Sequence, residues 1–162
     1  MIKILFVCHG NICRSPMAEF VMKDLLAQAG LSHQFTVASA ATSTEEIWNG
    51  VGNPVYPPAR KKLAEHGIGC EGKRAVQLTG ADYDRYDYLI GMDRANIRNM
   101  TRMCGGDPER KISLLLSWAG VERDIADPWY SGDFDATYED VLEGCQALLK
   151  KIGLEKFRHE KR

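Results

Sequence analysis

The stretch Cys8-His9-Gly10-Asn11-Ile12-Cys13-Arg14-Ser15 gathers a thiol, two small or turn-tolerant residues, a guanidinium and a hydroxyl in about two turns' length of chain. That combination suits a tetrahedral dianion. Gly10 and Asn11 tolerate backbone angles that turn successive N–H groups inward as an anion nest. A helix beginning just beyond them adds the positive end of its dipole, and the same field favours Cys8 as a thiolate. Arg14 can fork two hydrogen bonds onto an oxyanion, a planar geometry that lysine lacks. A lone cysteine reads as a small buried hydrophobe, but here that reading leaves the glycine, asparagine, arginine and serine unexplained. A zinc site needs a second cysteine or histidine pair at finger-like spacing, which the remaining residues do not supply. A nucleotide P-loop needs a lysine after its glycines, and none follows.

The elements around this loop alternate in type. Residues 2–7 are β-branched and aromatic enough for a buried strand, and 16–29 place Met17, Phe20, Val21 and Leu25 at helical spacing. A second strand is predicted over 35–38 and a helix over 58–66, stopped by Gly67. The loop between them, 42–57, is rich in Gly, Pro and Asn. A third buried strand is read at 86–92, followed by an N-cap at Asp93 and a helix to about Met103. A fourth strand is read at 111–115. Then comes a loop, 119–136, containing Asp127-Pro128-Trp129-Tyr130, and an amphipathic helix with Val141, Leu142, Cys145, Leu148 and Leu149 on one face. The pattern predicts a single doubly wound α/β domain, a four-stranded parallel sheet flanked by helices, with its ligand site beyond the carboxyl ends of the strands.

A chain of 162 residues fits one domain with a sizeable core. Its formal net charge of −1 favours neither nucleic acid nor an anionic membrane as a partner, so any anion site must be local. No run is long enough to span a bilayer, and residues 1–7 lack the features of a signal peptide. Five cysteines at irregular spacing fit reduced thiols better than a disulfide framework, so the expected compartment is cytoplasmic.

Val7-Cys8-His9-Gly10-Asn11-Ile12-Cys13-Arg14-Ser15-Pro16 resembles the signature of the low-molecular-weight protein tyrosine phosphatases. The resemblance extends over nearly the whole chain through Ser39-Ala40, Thr42, Glu65-His66-Gly67-Ile68, Met92-Asp93, and Asp127-Pro128 with its aromatic pair. It implies the flavodoxin-like fold of that family, with residues 1–156 as the phosphatase domain and 157–162 as a charged, solvated tail. The implied reaction is hydrolysis of phosphotyrosine and other aryl phosphate monoesters through a phospho-cysteine on Cys8. Arg14 and the backbone of His9, Gly10, Asn11, Ile12 and Cys13 would hold the phosphoryl oxygens. Asp127 would serve as general acid and then base, because a phenolate of conjugate-acid pKa about 10 leaves more easily when protonated.

The resemblance also implies a supporting shell: Ser15 donating to Cys8, Asn11 holding the loop's shape, and His66 bonded to Asn11. Read alone, His66 before Gly67 is a helix C-terminal residue facing the dipole. Cys13 is open between a thiol that could form a reversible disulfide with Cys8 and a small packing residue. Trp48, Trp129 and Tyr130 read either as core or as an aromatic slot beside the loop. Ile12 resembles the tyrosine-specific branch. The sequence departs from the family at Ala41, commonly glycine, at Trp129, often tyrosine, and at Tyr56, frequently aspartate; loop shape and specificity depend on these positions.

No cofactor or metal is called for. The expected partners are phosphotyrosine-containing proteins, phosphate and similar oxyanions, with the oligomeric state open between monomer and weak homodimer. Two rival readings remain: a thioredoxin-coupled arsenate reductase, whose disulfide relay Cys70 and Cys104 leave incomplete, and a non-catalytic anion-binding domain, which would have no use for Cys8 or Asp127.

Overall fold

The computed structural model describes residues 1–160, with side chains described as far as residue 153. Strand β1 (Ile2–Cys8) is followed by helix α1 (Arg14–Gln28), strand β2 (Phe35–Ala41), and a short hairpin of β3 (Ile47–Trp48) and β4 (Val51–Gly52). Helix α2 (Pro57–Glu65), a turn of helix α3 (Asp82–Arg85), strand β5 (Tyr88–Gly91) and helix α4 (Arg94–Met103) come next. Strand β6 (Ile112–Leu114), a short helix α5 (Pro128–Ser131) and the long α6 (Phe134–Glu160) complete the chain. The main sheet has the order β2-β1-β5-β6, and every pairing in it is parallel. This is the expected α/β architecture.

A central parallel strand is buried on both faces, which explains the unbroken apolar run of β1. Ile4, Phe6 and Cys8 join the core beneath α1, α2 and α6 with Met17, Val21, Leu63, Val141 and Leu148. The alternate residues Leu5 and Val7 pack on the other face with Leu89 and Met100. Gly144 lets α6 approach closely, because a Cβ there would lie 2.5 Å from Leu115 Cγ.

Differences from the sequence reading concern boundaries and three short features it did not contain: the β3–β4 hairpin, α3 and α5, the last within the stretch read as a loop. Helix α1 begins at Arg14, two residues before the expected start, so Arg14 and Ser15 sit in its first turn. Pro16 fits there because the first N–H groups of a helix have no intrahelical partner. The third and fourth strands are shorter than read, since Tyr86 caps α3 and Leu115 enters a tight 3₁₀ turn. The 42–57 loop contains the β3–β4 hairpin, closed by Asn49 (φ 50) and Gly50 (φ 76), the left-handed pair that a two-residue turn requires. The stretch 157–162, expected as a solvated tail, has its backbone in α6 as far as Glu160, and its side chains lie outside the described residues.

Candidate active site

The carboxyl ends of β1, β2 and β5 lie side by side, with Cys8 in register with Ala41 and Val7 with Gly91. The loop leaving β1 is stitched to the loop leaving β2 by Thr42 N to Cys8 O at 2.9 Å and Ser43 N to His9 O at 3.0 Å. Asn11 is left-handed (φ 58), as its residue type allows, whereas Gly10 is not. Gly10 answers a different need: a Cβ there would meet Glu46 Cγ at 3.3 Å.

The side chain of Asn11 ties the turn together beneath the surface. Its amide nitrogen donates to Ser15 Oγ (2.8 Å) and Ser39 Oγ (2.9 Å), while its oxygen accepts from Val76 N (3.1 Å). Ser15 Oγ also lies 3.0 Å from Cys8 Sγ, within hydrogen-bond distance, and would be the donor there when Cys8 is a thiolate. Asn11 N–H is a second donor to that sulfur at 3.3 Å. Ser39 Oγ donates a hydrogen bond to Glu19 Oε1 (2.7 Å), and Glu19, only 4% exposed, is matched by Lys23 (2.6 Å) and Lys73 (3.6 Å). Lys73 also donates to Ser39 O at 2.8 Å. Burial holds the Lys73 ammonium below the ordinary lysine range, and Glu19 opposes that shift.

His66 does not join this network. It is exposed at the end of α2 and stacks on Tyr138, with ring centroids 3.8 Å apart. The side-chain donors and acceptor of Asn11 go to Ser15, Ser39 and Val76 instead, which corrects the expected His66–Asn11 bond.

Arg14 is 3% exposed and anchored from below. Its Nη1 donates to Asp93 Oδ2 (2.7 Å) and to Ile125 O (2.9 Å), which uses both Nη1 protons. Among the described residues no hydrogen bond takes the Nε–Nη2 edge, so that fork is left to the cavity. Burial works against the guanidinium charge, but Cys8, Asp93 and Asp127 outweigh it and hold Arg14 above its ordinary pKa. Asp93 has a second duty as N-cap of α4, in a reciprocal capping box with Asn96.

Asp127 approaches from the other side, with Oδ2 3.5 Å from Arg14 Nη2. Its Oδ1 accepts Trp129 N at 3.0 Å, so the carboxylate caps α5 and is held in place by the residues after it. Cys8, Arg14 and Asp127 border one cavity of about 120 Å³ together with His9, Gly10, Ile12 and Cys13. The N–H groups opening α1 have no side-chain cap and can be offered to an oxyanion. Burial first, then the Cys8 and Asp127 charges, push the Cys13 thiol up to about 12.

Trp129 and Tyr130 stand at the mouth of the cavity, 53% and 85% exposed. Trp48 does not border it. The hairpin turn sets Trp48 opposite Val51, where it is 74% exposed, and Glu45 and Glu46 from the same loop reach the cavity instead. Glu45 pairs with His9 at 3.0 Å. The sequence reading missed Glu19, Ser39, Lys73, Glu45 and Glu46 as parts of the site, and the anchoring role of Asp93. Glu19 and Lys23 look like an ordinary surface i,i+4 pair; the Asn49-Gly50 signal could have revealed the hairpin.

Among the described residues no helix is long and apolar enough to cross a membrane. The family profile described as low molecular weight phosphotyrosine protein phosphatase matches residues 3–158. The chain is 38% identical over 158 residues to the low molecular weight protein-tyrosine-phosphatase YfkJ of Bacillus subtilis, covering 96% of this chain and 99% of that one. It superposes on the crystal structure of YfkJ with a TM-score of 0.89, over 96% of this chain and 97% of the other. The low molecular weight phosphotyrosine protein phosphatase of Rattus norvegicus is 38% identical over 91% of this chain and 94% of its own. Vibrio vulnificus Wzb in complex with benzylphosphonate superposes with a TM-score of 0.78 at 33% identity, over 93% and 98% of the two chains. With a matching profile along nearly its whole length and relatives at this identity, the chain belongs to the low molecular weight phosphotyrosine protein phosphatase family of phosphoric monoester hydrolases.

Proposed function

We propose that the protein hydrolyses phosphotyrosine in proteins by two in-line displacements at phosphorus, with Cys8 as nucleophile and Asp127 as acid and base. The observation that carries this reading is the convergence of Cys8, Arg14 and Asp127 on one cavity. In the first step the Cys8 thiolate forms an S–P bond while the P–O bond to the phenol breaks and Asp127 gives its proton to the departing oxygen. The Nε–Nη2 edge of Arg14 and the loop N–H groups bear the charge on the equatorial oxygens. In the second step water attacks phosphorus, its proton passes to Asp127, and inorganic phosphate leaves the regenerated thiolate. Ile12, Trp129 and Tyr130 offer the ring an apolar mouth.

A disulfide relay of the reductase type receives no support. Cys70 packs in the core beneath α1, α2 and α6, whereas Cys104 packs against the opposite face of the sheet. The test is turnover of an aryl phosphate by the purified protein, with rapid quenching to trap phosphate on sulfur. Cys8→Ser should abolish both turnover and labelling. Turnover that survives this substitution would remove Cys8 from the mechanism.

A further inference from the structure

A second cavity, of about 290 Å³, adjoins the proposed catalytic one, and the two share Ile12, Glu46 and Trp129 as borders. Its other wall is the run Pro54, Val55, Tyr56 and Pro57 leading into α2. The chemistry of this wall is one-sided. The two prolines have no N–H to offer, Tyr56 N–H is committed to Ile12 O at 2.9 Å, and Asn53 N–H is committed to Glu46 O at 2.8 Å. Ile12, Pro54, Val55, Pro57 and the Tyr56 and Trp129 rings therefore offer a ligand mainly apolar side-chain surface, with Glu46, Asn53 and Arg60 as the polar residues at its border.

The groove is also held open by packing. The Tyr56 ring lies against Trp129, centroids 4.8 Å apart, and against Phe134 at 6.2 Å. Glu46, at the seam of the two cavities, is fixed by Asn53 Nδ2 at 2.7 Å and by its fit over Gly10. Any peptide whose phosphotyrosine enters the first cavity past Trp129 must lead one of its flanks away from that mouth. An extended chain advances about 3.3 Å per residue, so a side chain within a few residues of the phosphotyrosine reaches a cavity that shares its walls with the first.

We infer that this groove is a substrate subsite that takes a large apolar side chain flanking the phosphotyrosine of the target protein. The inference rests on the phosphatase reading and names the class of sequence that the same site selects. Burying such a side chain is worth a discrimination of one to two orders of magnitude. Arg60 borders the groove from the exposed surface of α2, so its replacement by a bulky ring can fill the groove without disturbing the core.

The experiment compares free phosphotyrosine with phosphotyrosine peptides in an alanine background that carry Leu or Asp in turn at each flanking position. Leu at one position should raise kcat/KM about tenfold over Asp there. Arg60→Trp should bring that ratio close to one while leaving turnover of free phosphotyrosine unchanged. Tyr56→Ser, which removes a wall, should abolish the same preference. Hydrolysis of free phosphotyrosine with no preference at any position overturns the subsite and leaves the phosphatase reading intact; failure to hydrolyse either kind of substrate overturns both. A preference that survives both substitutions also overturns it. Concentration-dependent self-association that Arg60→Trp removes, in the absence of a peptide preference, would assign the groove to a second copy of the chain instead.

Discussion

Arg14 Nη1 and Asp93 Oδ2 lie 2.7 Å apart, joining the first turn of α1 to the cap of α4 across the carboxyl edge of the sheet. One carboxylate therefore orients the guanidinium and starts a helix. The pair is well shielded on the arginine side, with side-chain exposures of 3% and 20%, so the two duties can be separated by substitution.

Asp93→Asn keeps a good N-cap but removes the charge that faces Arg14. It should lower kcat/KM about 10- to 100-fold on every aryl phosphate, because a displaced guanidinium misplaces all substrates alike. Asp93→Ala should add a further loss of about 1 kcal/mol in stability for the missing cap. Steady-state kinetics and denaturant unfolding of the two variants check this, and equal stability of the pair would contradict the capping role.

Asp127 caps α5 through Trp129 N, and the proposed reaction also makes it the proton donor. Asp127→Asn retains the cap and cannot transfer a proton, so kcat on phosphotyrosine should fall about 10²- to 10³-fold. The fall should be much smaller for a substrate whose phenol is more acidic, since its leaving group needs less help. Equal losses on the two substrates would reject the acid role.

Asn11 combines a left-handed backbone with three side-chain hydrogen bonds. Asn11→Ala should lose more stability than Asn11→Gly by about 1 kcal/mol, because only alanine carries the Cβ penalty at positive φ. Both variants leave Ser15 and Ser39 without their amide partner, and both should lose activity to a similar degree. Urea unfolding and kcat/KM measured side by side distinguish backbone strain from positioning.

Cys13 yields a pH prediction. Its folded thiol titrates near 12, above its ordinary value of 9.0, so the unfolded chain gives up this proton first as pH rises. Stability is then fully present below about pH 9 and declines between about 9 and 12, where the native state binds more protons than the unfolded one. Cys13→Ala should make that decline shallower when unfolding is followed across this window. It should leave the pH dependence of stability below about pH 8 unchanged.

Most of the sheet was legible in local sequence. β1 is apolar at every position from Ile4 to Val7 because both its faces are covered. The spacing in α6 marks the face that covers it, whereas in α1 Met17 and Val21 are buried as read but Met22 and Leu26 are buried where Phe20 and Leu25 are only half-buried. The β3–β4 hairpin was missed because its strands are too short for alternation to show, leaving only Asn49-Gly50 to mark it. Strand ends shifted for a similar reason: Tyr86 and Leu115 have strand-like side chains, but neighbouring turns recruit them.

The contiguous run from Cys8 to Ser15 was readable by itself because an anion-binding turn depends on residues adjacent in the chain, where backbone conformation and side-chain type suffice. Asp127 required the resemblance, and its approach to Arg14 depends on how α5 follows the long loop. Asp93 beneath Arg14, Ser39 and Glu19 beneath Asn11, and Glu46 in place of Trp48 beside the cavity were decided by tertiary structure alone. Each of these pairings joins residues from different elements, and a hydrogen bond or buried charge pair forms only where packing brings its two ends within about 3 Å. Local residue preferences carry no information about which distant element will arrive there.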